Sequence, residues 1–363
     1  MRLALAAARR ASGRTWPNPA VGAVVFRGDR VLARGWTQPP GGPHAKVVAI
    51  ERAQRRHGAR ALRGASLAVT LEPCCHHGRT PPCTDAVIAA GIAQVFAGHR
   101  DPHPQVAGRG LARLRRARIA VRVGVLEREC RAQHRGFVST VERGRPFVTL
   151  KLAATLDGRI ATARGESRWI TGPAARAHVH ALRAATDAVL VGSGTALADD
   201  PALDARRGGR VVARPQRVLL DATLRVPARA RLFRPPEPAW VLCASDAPAA
   251  RRCALEKRGA RLLPIRARSG KIPLAAALGR LAEEGVGSLL VEGGGGLAAA
   301  LIREDLVDEL LWFTAPKLIG AEGRAALGPL GVARLDAAPA FELVRVRRFG
   351  DDLLLEARPR VRR

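Results

Sequence analysis

The sequence predicts a two-domain α/β protein, and three observations carry that expectation. The chain has 363 residues, room for two or three domains at ~150 residues each. Short apolar runs alternate with stretches of helical periodicity through both halves. Between them lies a charged, Pro-bearing turn, ERGRPF at 142–147, so the expected domains are 1–143 and 147–363.

In the first half, the opening MRLALAAARR has an apolar run of six residues cut off at once by Arg9 and Arg10. That is too short for a secretory leader, so it reads as a first helix and the protein as cytoplasmic. Residues 20–26 and 30–36 alternate as paired strands around the turn at Gly28 and Asp29, and 44–56 has helical periodicity. A strand at 66–71, a helix at 83–91, a strand at 94–98, a helix at 107–117 and a strand at 119–124 complete the unit. In the second half, strands are expected near 147–152, 187–192, 217–221, 239–243, 261–264, 288–292, 309–315 and 341–357. Helices fall near 172–184, 273–284 and 296–303, and the Arg/Pro-rich stretches 200–215 and 227–237 read as loops.

Composition narrows the class. With 47% hydrophobic and 25% charged residues the chain is neither disordered nor collagenous, and no run reaches the ~18 apolar residues of a membrane span. The net charge is +30, yet only five basic residues are lysines (46, 151, 257, 271, 317). The arginines run through every segment, Tyr is absent and aromatics are 4%. A nucleic-acid surface concentrates charge in runs interleaved with aromatics, so the excess reads as the compositional bias of a GC-rich genome and argues against a nucleic-acid partner. Anionic small substrates remain compatible.

Six cysteines in a chain of this length are too few for a secreted disulfide scaffold. Three of them cluster in EPCCHHGRTPPC (72–83). His44 opens a predicted helix, Cys74 follows a strand and Cys83 opens another helix. Three such ligands leave zinc a fourth position for water, whose pKa falls toward neutrality, ready to attack an amino-bearing carbon. The zinc-deaminase signature is His-x-Glu with Pro-Cys-x-x-Cys, the Glu carrying protons. Here Pro73-Cys74 fits, but eight residues separate it from Cys83. On spacing alone, buried free cysteines remain an equal alternative.

PNPAVGAVV (17–25), GGPHAKVVAI (41–50), VTLEPCCHHGRTPPCTDAVIAAGI (69–92) and DPHPQVAGRG (101–110) together resemble the deaminase domain of the bifunctional riboflavin biosynthesis deaminase/reductases. The long cysteine spacing distinguishes that family from the tRNA and cytidine deaminases. The resemblance implies a cytidine-deaminase-like three-layer domain, zinc on His44, Cys74 and Cys83, and substrate contact at Asn18. Cys75 stands where the family has Ser and reads as a bystander, while His76 and His77 match the family as pocket residues. Two positions depart from it: Lys46 replaces the family's proton-shuttle Glu, and His103 replaces an Asn. Loss of general acid–base help costs ~10²–10⁴ in rate. Neither Glu51 nor Glu72 has the spacing of a substitute, and a Lys46 that merely pointed to solvent would not restore the carboxylate. A folded, zinc-binding domain of weak or absent deaminase activity is expected.

LKLAATLDGRIATARGESRWITG (150–172), VLVGSGTALADDPALDAR (189–206) and VEGGGGLAAALI (291–302) resemble the reductase domain fused to that deaminase. By themselves, Gly293–Gly296 following a strand and opening a helix suit a phosphate, though a plain loop explains them as well, and they are not GxGxxG. The resemblance implies a dihydrofolate-reductase-like fold and NADPH as cofactor, contacted by Ala153, Trp169, Thr195, Asp199, Gly294, Gly295, Gly296 and Leu297. It implies substrate contacts from Ser167, Arg183, Leu203, Arg206 and Glu292, the arginines suiting a phosphorylated pyrimidine. Asp157 in the LDG turn reads as a turn former. A reductase-only enzyme with a vestigial zinc domain is the second reading; an RNA-binding or RNA-editing deaminase is a third, opposed by the cysteine spacing. Homo-oligomerisation stays open.

Overall fold

The computed structural model describes residues 1–77 and 81–360, and the chain divides into two units, Met1–Gly144 and Arg145–Arg363. Gly78, Arg79 and Thr80 of the cysteine motif lie outside the described residues.

The first unit runs α1 (Arg2–Arg9), β1 (Gly22–Arg27), β2 (Arg30–Trp36), α2 (Ala45–His57), β3 (Ser66–Leu71), α3 (Cys83–Ala89), β4 (Gln94–His99), α4 (Arg109–Arg116) and β5 (Ala120–Val123). Two further helices, α5 (Glu127–Gln133) and α6 (Arg135–Arg143), close it. They were not expected, because Arg-rich sequence hides the apolar stripe that marks a helix. The sheet order is β2-β1-β3-β4-β5, with β1 antiparallel to both neighbours and β3, β4 and β5 parallel. Val25, Leu67, Val69 and Val95 from the sheet pack against Ala49, Ala53, Val87, Leu111 and Leu114 from the helices. Small residues let α2 lie close to the sheet: a Cβ on Gly35 would come within 2.3 Å of the Ala45 carbonyl oxygen. That approach sets the position of the helix start, where His44 is the N-cap.

The second unit begins with β6 (Phe147–Thr155), β7 (Arg159–Ala161), α7 (Pro173–Ala185), β8 (Ala188–Gly192), α8 (Ser193–Asp199), β9 (Ala205–Arg207), β10 (Arg210–Ala213) and β11 (Gln216–Leu220). It continues through β12 (Trp240–Ala244), α9 (Ala249–Lys257), β13 (Arg261–Ile265), α10 (Leu274–Glu283), β14 (Ser288–Val291), α11 (Gly295–Arg303) and β15 (Glu309–Ala315). The last elements are β16 (Arg324–Ala325), β17 (Phe341–Phe349) and β18 (Asp352–Pro359). Its main sheet has the order β13-β12-β11-β8-β14-β6-β15-β18-β17, parallel from β13 to β15 and antiparallel at the β15, β18 and β17 end.

Three expectations need correction. The stretch 200–215 is not all loop: β9 and β10 pair antiparallel around Gly208 and Gly209, whose φ values of 54° and 77° make the turn. The single strand expected over 341–357 is a hairpin, broken by Gly350 at φ 65°. α9 was missed because its arginines and Glu256 dilute the periodicity to one buried residue, Leu255.

Candidate functional sites

In the first unit the three expected ligands converge. His44 Nδ1 lies 3.0 Å from Cys83 Sγ and 3.5 Å from Cys74 Sγ, and the Cys83 N–H donates to Cys74 Sγ at 3.3 Å. All three ligand atoms lie within 4.8 Å of one another. Donation from the Cys83 thiol holds Cys74 far below the usual thiol range, His44 and the nearby Lys46 charge adding to the effect against burial. The same hydrogen bond, with burial, pushes Cys83 up. One imidazole and two sulfurs are the donor set that suits zinc. These residues fit the metal.

Beside them is a cavity of about 410 Å³ whose lining includes Asn18, His44, Lys46, Cys74, His76, Asp101 and His103. Lys46 is not in solvent. It is 4% exposed and its Nζ donates to the Glu72 carbonyl oxygen at 3.3 Å. The Glu72 carboxylate is also committed: it accepts from the N–H groups of Asp101 and Gly108 (both 3.0 Å), Gly110 (3.0 Å) and Leu111 (3.2 Å). It thereby caps the start of α4. Gly110 is needed for that approach, since a Cβ there would lie 1.9 Å from the Pro73 carbonyl oxygen. Glu72 is therefore a buried anchor with both oxygens taken, and Glu51 is exposed on α2. Neither replaces the missing shuttle.

Sequence reasoning missed a buried chain behind this site. His99 Nδ1 donates to the Arg100 carbonyl oxygen (2.7 Å), so His99 Nε2 accepts from His134 Nδ1 (2.9 Å), and His134 Nε2 in turn accepts from the Thr70 hydroxyl (3.1 Å). Burial lowers the pKa of both rings, His134 the further because His99 lies beside it. No spacing signal links residues 70, 99 and 134; β3 and β4 lie side by side in the sheet, and the junction of α5 and α6 brings His134 onto them.

In the second unit a cavity of about 580 Å³ opens at the carboxyl ends of the parallel strands β6, β8 and β14, where ligands of open α/β sheets bind. Ala153, Ser167, Trp169, Arg183, Thr195, Asp199, Leu203, Arg206, Glu292 and Gly294 all line it. Gly295, Gly296 and Leu297 are not on the lining. Gly295 is required by close packing, its Cβ position being 2.9 Å from the Ala325 carbonyl oxygen, and Leu297 packs against Gly293. The Cβ position on Gly294 is 3.3 Å from Thr195 Oγ1, whereas that on Gly296 meets open space. Gly294 caps α11, so free backbone N–H groups and a bare surface lie together there, as a bound phosphate needs. These residues fit a dinucleotide phosphate.

Arg183 grips Glu292 with two bonds, 2.6 and 2.9 Å, and donates to the Asp204 carbonyl oxygen at 2.9 Å. Burial pushes Glu292 up, but the Arg183 charge and hydrogen bonds outweigh it and keep the carboxylate below its ordinary range. Arg206 is more exposed and is held by Asp204 at 2.8 and 2.9 Å. Ser167 Oγ reaches Asp199 at 3.5 Å. Lys151, which sequence reasoning passed over, also lines the cavity, and burial lowers its pKa while Glu292 and Asp199 oppose the shift. Its signal was partly legible: a lysine, rare in this chain, near the end of the strand expected at 147–152, two residues from Ala153. Asp157 keeps its turn role, accepting from Ile319 N (3.1 Å) and Gly320 N (2.7 Å).

Fold and sites together define a bifunctional enzyme class, a zinc-site deaminase domain of the cytidine-deaminase-like fold joined to an NADPH-dependent reductase domain of the dihydrofolate-reductase-like fold. Residues 1–99 match the cytidine and deoxycytidylate deaminase zinc-binding region, and 146–355 match the RibD C-terminal domain. The chain belongs to the RibD family of riboflavin biosynthesis proteins. Riboflavin biosynthesis protein RibD of Escherichia coli is 40% identical over 370 residues, covering 98% of this chain and 97% of that protein. The Acinetobacter baumannii RibD structure superposes with a TM-score of 0.88 at 35% identity, covering 99% and 97% of the two chains. A Thermotoga maritima diaminohydroxyphosphoribosylaminopyrimidine deaminase/5-amino-6-(5-phosphoribosylamino)uracil reductase gives 0.86 at 37% identity with the same coverage. Among the described residues no helix is long and apolar enough to cross a membrane.

Proposed function

We propose that residues 147–363 reduce 5-amino-6-(5-phosphoribosylamino)uracil with NADPH, turning the ribosyl chain into ribityl. We further propose that residues 1–143 form a zinc-binding diaminohydroxyphosphoribosylaminopyrimidine deaminase domain with diminished hydrolytic activity. The observation that carries the first half is the Arg183–Glu292 pair with Arg206 on one cavity wall. Arg206 presents a guanidinium to the substrate phosphate. Arg183 holds Glu292 ionised and oriented, ready to accept from substrate N–H or O–H groups. Ala153, Trp169, Thr195, Asp199 and Gly294, with the backbone at the start of α11, would hold NADPH, which would supply a hydride. In the opened sugar, C1′ is joined to the amine nitrogen as C=N. Reduction would form a C–H bond at C1′ while the C=N π pair passes to nitrogen, which would take a proton from solvent to give the ribitylamine.

In the first unit, His44, Cys74 and Cys83 would hold zinc, which would supply Lewis acidity toward water. Asn18, His76 and His103 bound the pyrimidine. Lys46 occupies the place from which a carboxylate would take a proton and pass it to the departing amine, and an ammonium has no lone pair with which to accept one. That observation favours the second reading, a reductase with a retained but slow deaminase domain. A cytoplasmic location suits six cysteines that are all free, and a homo-oligomer is compatible with this reading. The test is a separate assay of the two half-reactions on one purified sample. NADPH oxidation with little ammonia release is expected, whereas inactivity toward the uracil substrate defeats the proposal. Salt-sensitive retention of RNA would instead revive an RNA-directed deaminase.

A further inference from the structure

A smaller cavity of about 180 Å³ adjoins the reductase cavity, and five of its twelve lining residues are arginines. Asp204, Arg206 and Arg231 line both spaces, so the two share a wall. Each of the two carboxylates of the smaller cavity is met by an arginine. Asp204 accepts two bonds from Arg206 at 2.8 and 2.9 Å, and Glu237 lies 3.9 Å from Arg214. The guanidinium groups of Arg217, Arg231 and Arg234 remain. Arg217 is half-buried and donates to the carbonyl oxygens of Glu237 and, at 2.6 Å, of Arg234. Burial lowers its pKa; Glu237 opposes that shift and the Arg214 charge adds to it. Among the described residues, no carboxylate forms an ion pair with Arg231 or Arg234. Their loop is firmly held: Leu232 and Phe233 are buried between them, and the Arg231 N–H donates to Asp200 Oδ1 at 2.7 Å. Like charges fixed along one wall without a counter-charge build a positive potential that draws an anion.

We propose that this arginine-lined cavity is a second anion site, separate from the substrate cavity, and that it takes a free phosphate ion. Guanidinium groups meet phosphate oxygens with paired N–H donors. The volume falls below the ~300–1,000 Å³ of sites for larger organic ligands, which suits an inorganic ion rather than a nucleoside. Arg206 and Arg231 also border the cavity where the reductase reading places the substrate phosphate, so an anion next door draws on the same two guanidinium groups. Occupancy of the two cavities is therefore antagonistic, and by linkage each ligand weakens the other by the same factor. The antagonism rests on the reductase reading; the anion site itself does not.

Calorimetric titration of the full chain with inorganic phosphate, at fixed ionic strength, tests the site. Saturable binding is expected, weakened at least tenfold by Arg234→Ala. Arg234 is exposed and lines the smaller cavity and not the larger one, so the variant should fold. Arg56→Ala, which removes the same charge from the exposed face of α2, should change nothing. No saturable binding, or an equal loss in Arg56→Ala, overturns the proposal, because the net charge of +30 would then attract anions without a site. Binding that Arg206→Ala weakens and Arg234→Ala leaves untouched overturns it too, by placing the ion in the substrate cavity. In steady-state kinetics phosphate should raise KM for the uracil substrate to a plateau, and Arg234→Ala should abolish that rise. A rise without limit that persists in Arg234→Ala marks direct competition and overturns the antagonism. A chain that binds phosphate as expected but does not turn over the uracil compound supports the anion site and defeats the reductase reading.

Discussion

Lys46 Nζ donates to the main-chain oxygen of Glu72 across 3.3 Å, while the carboxylate of Glu72 faces away and caps α4 with four hydrogen bonds. The two residues could have been a buried ion pair and are not. The acid is spent on architecture, and the base is left on the cavity wall beside the metal-type cluster.

Ammonia release from the diaminopyrimidine should be slow in the unmodified chain, and Lys46→Glu should raise it by roughly 10²–10⁴, the usual worth of general acid–base help. Turnover of the uracil compound with NADPH serves as the control for folding. Equal ammonia release by both proteins would mean that a substrate group carries the proton. If the revertant stays slow, His103→Asn should be added, because the imidazole then obstructs the ring.

Protein purified without chelator should carry about one zinc per chain, since the three ligands converge without help from position 46. Elemental analysis reads the content, and Cys83→Ala should lower it sharply. A folded chain that binds no zinc would show that the Lys46 charge has displaced the metal.

Arg206→Ala should raise KM for the uracil substrate by roughly tenfold to a hundredfold, since a hydrogen bond to a charged group is worth ~1.5–3 kcal/mol. The side chain is on the surface and its partner Asp204 is itself solvated in part, so the melting temperature should change little. An unchanged KM in steady-state kinetics removes Arg206 from the phosphate site.

The first unit should lose stability in acid below the ordinary histidine value of 6.5. Both His99 and His134 have folded pKa values lowered by burial, so the unfolded chain takes up protons that the folded chain refuses. Stability is therefore fully present above pH 6.5 and falls as the pH drops, by up to ~2.7 kcal/mol per pH unit for two such groups. Chemical denaturation of the first unit's transition between pH 7.5 and 5 checks this. A flat profile, or the same slope in His134→Gln, would show that the pair does not govern acid sensitivity.

The sequence by itself determined most strands, because these depend on local signals, while the class of each domain and the expected zinc ligands came from long motifs that resemble a known family. Apolar alternation marks β1 and β3, and a ligand at a helix start marks His44 and Cys83. The replacement at position 46 was equally plain, since a residue type can be read without coordinates. Tertiary structure alone decided where Lys46 goes, that Glu72 is an anchor, and that Thr70, His134 and His99 form one chain. Those relationships join β3, β4, α2, α4 and α5 across long stretches of sequence, and no periodicity encodes the partner of a buried polar group. The same holds in the second unit, where Lys151, Glu292 and Asp199 line one cavity because β6 lies beside β14 and next but one to β8. Short-range chemistry was written in the residues; which donor faces which acceptor was settled by strand order and close packing.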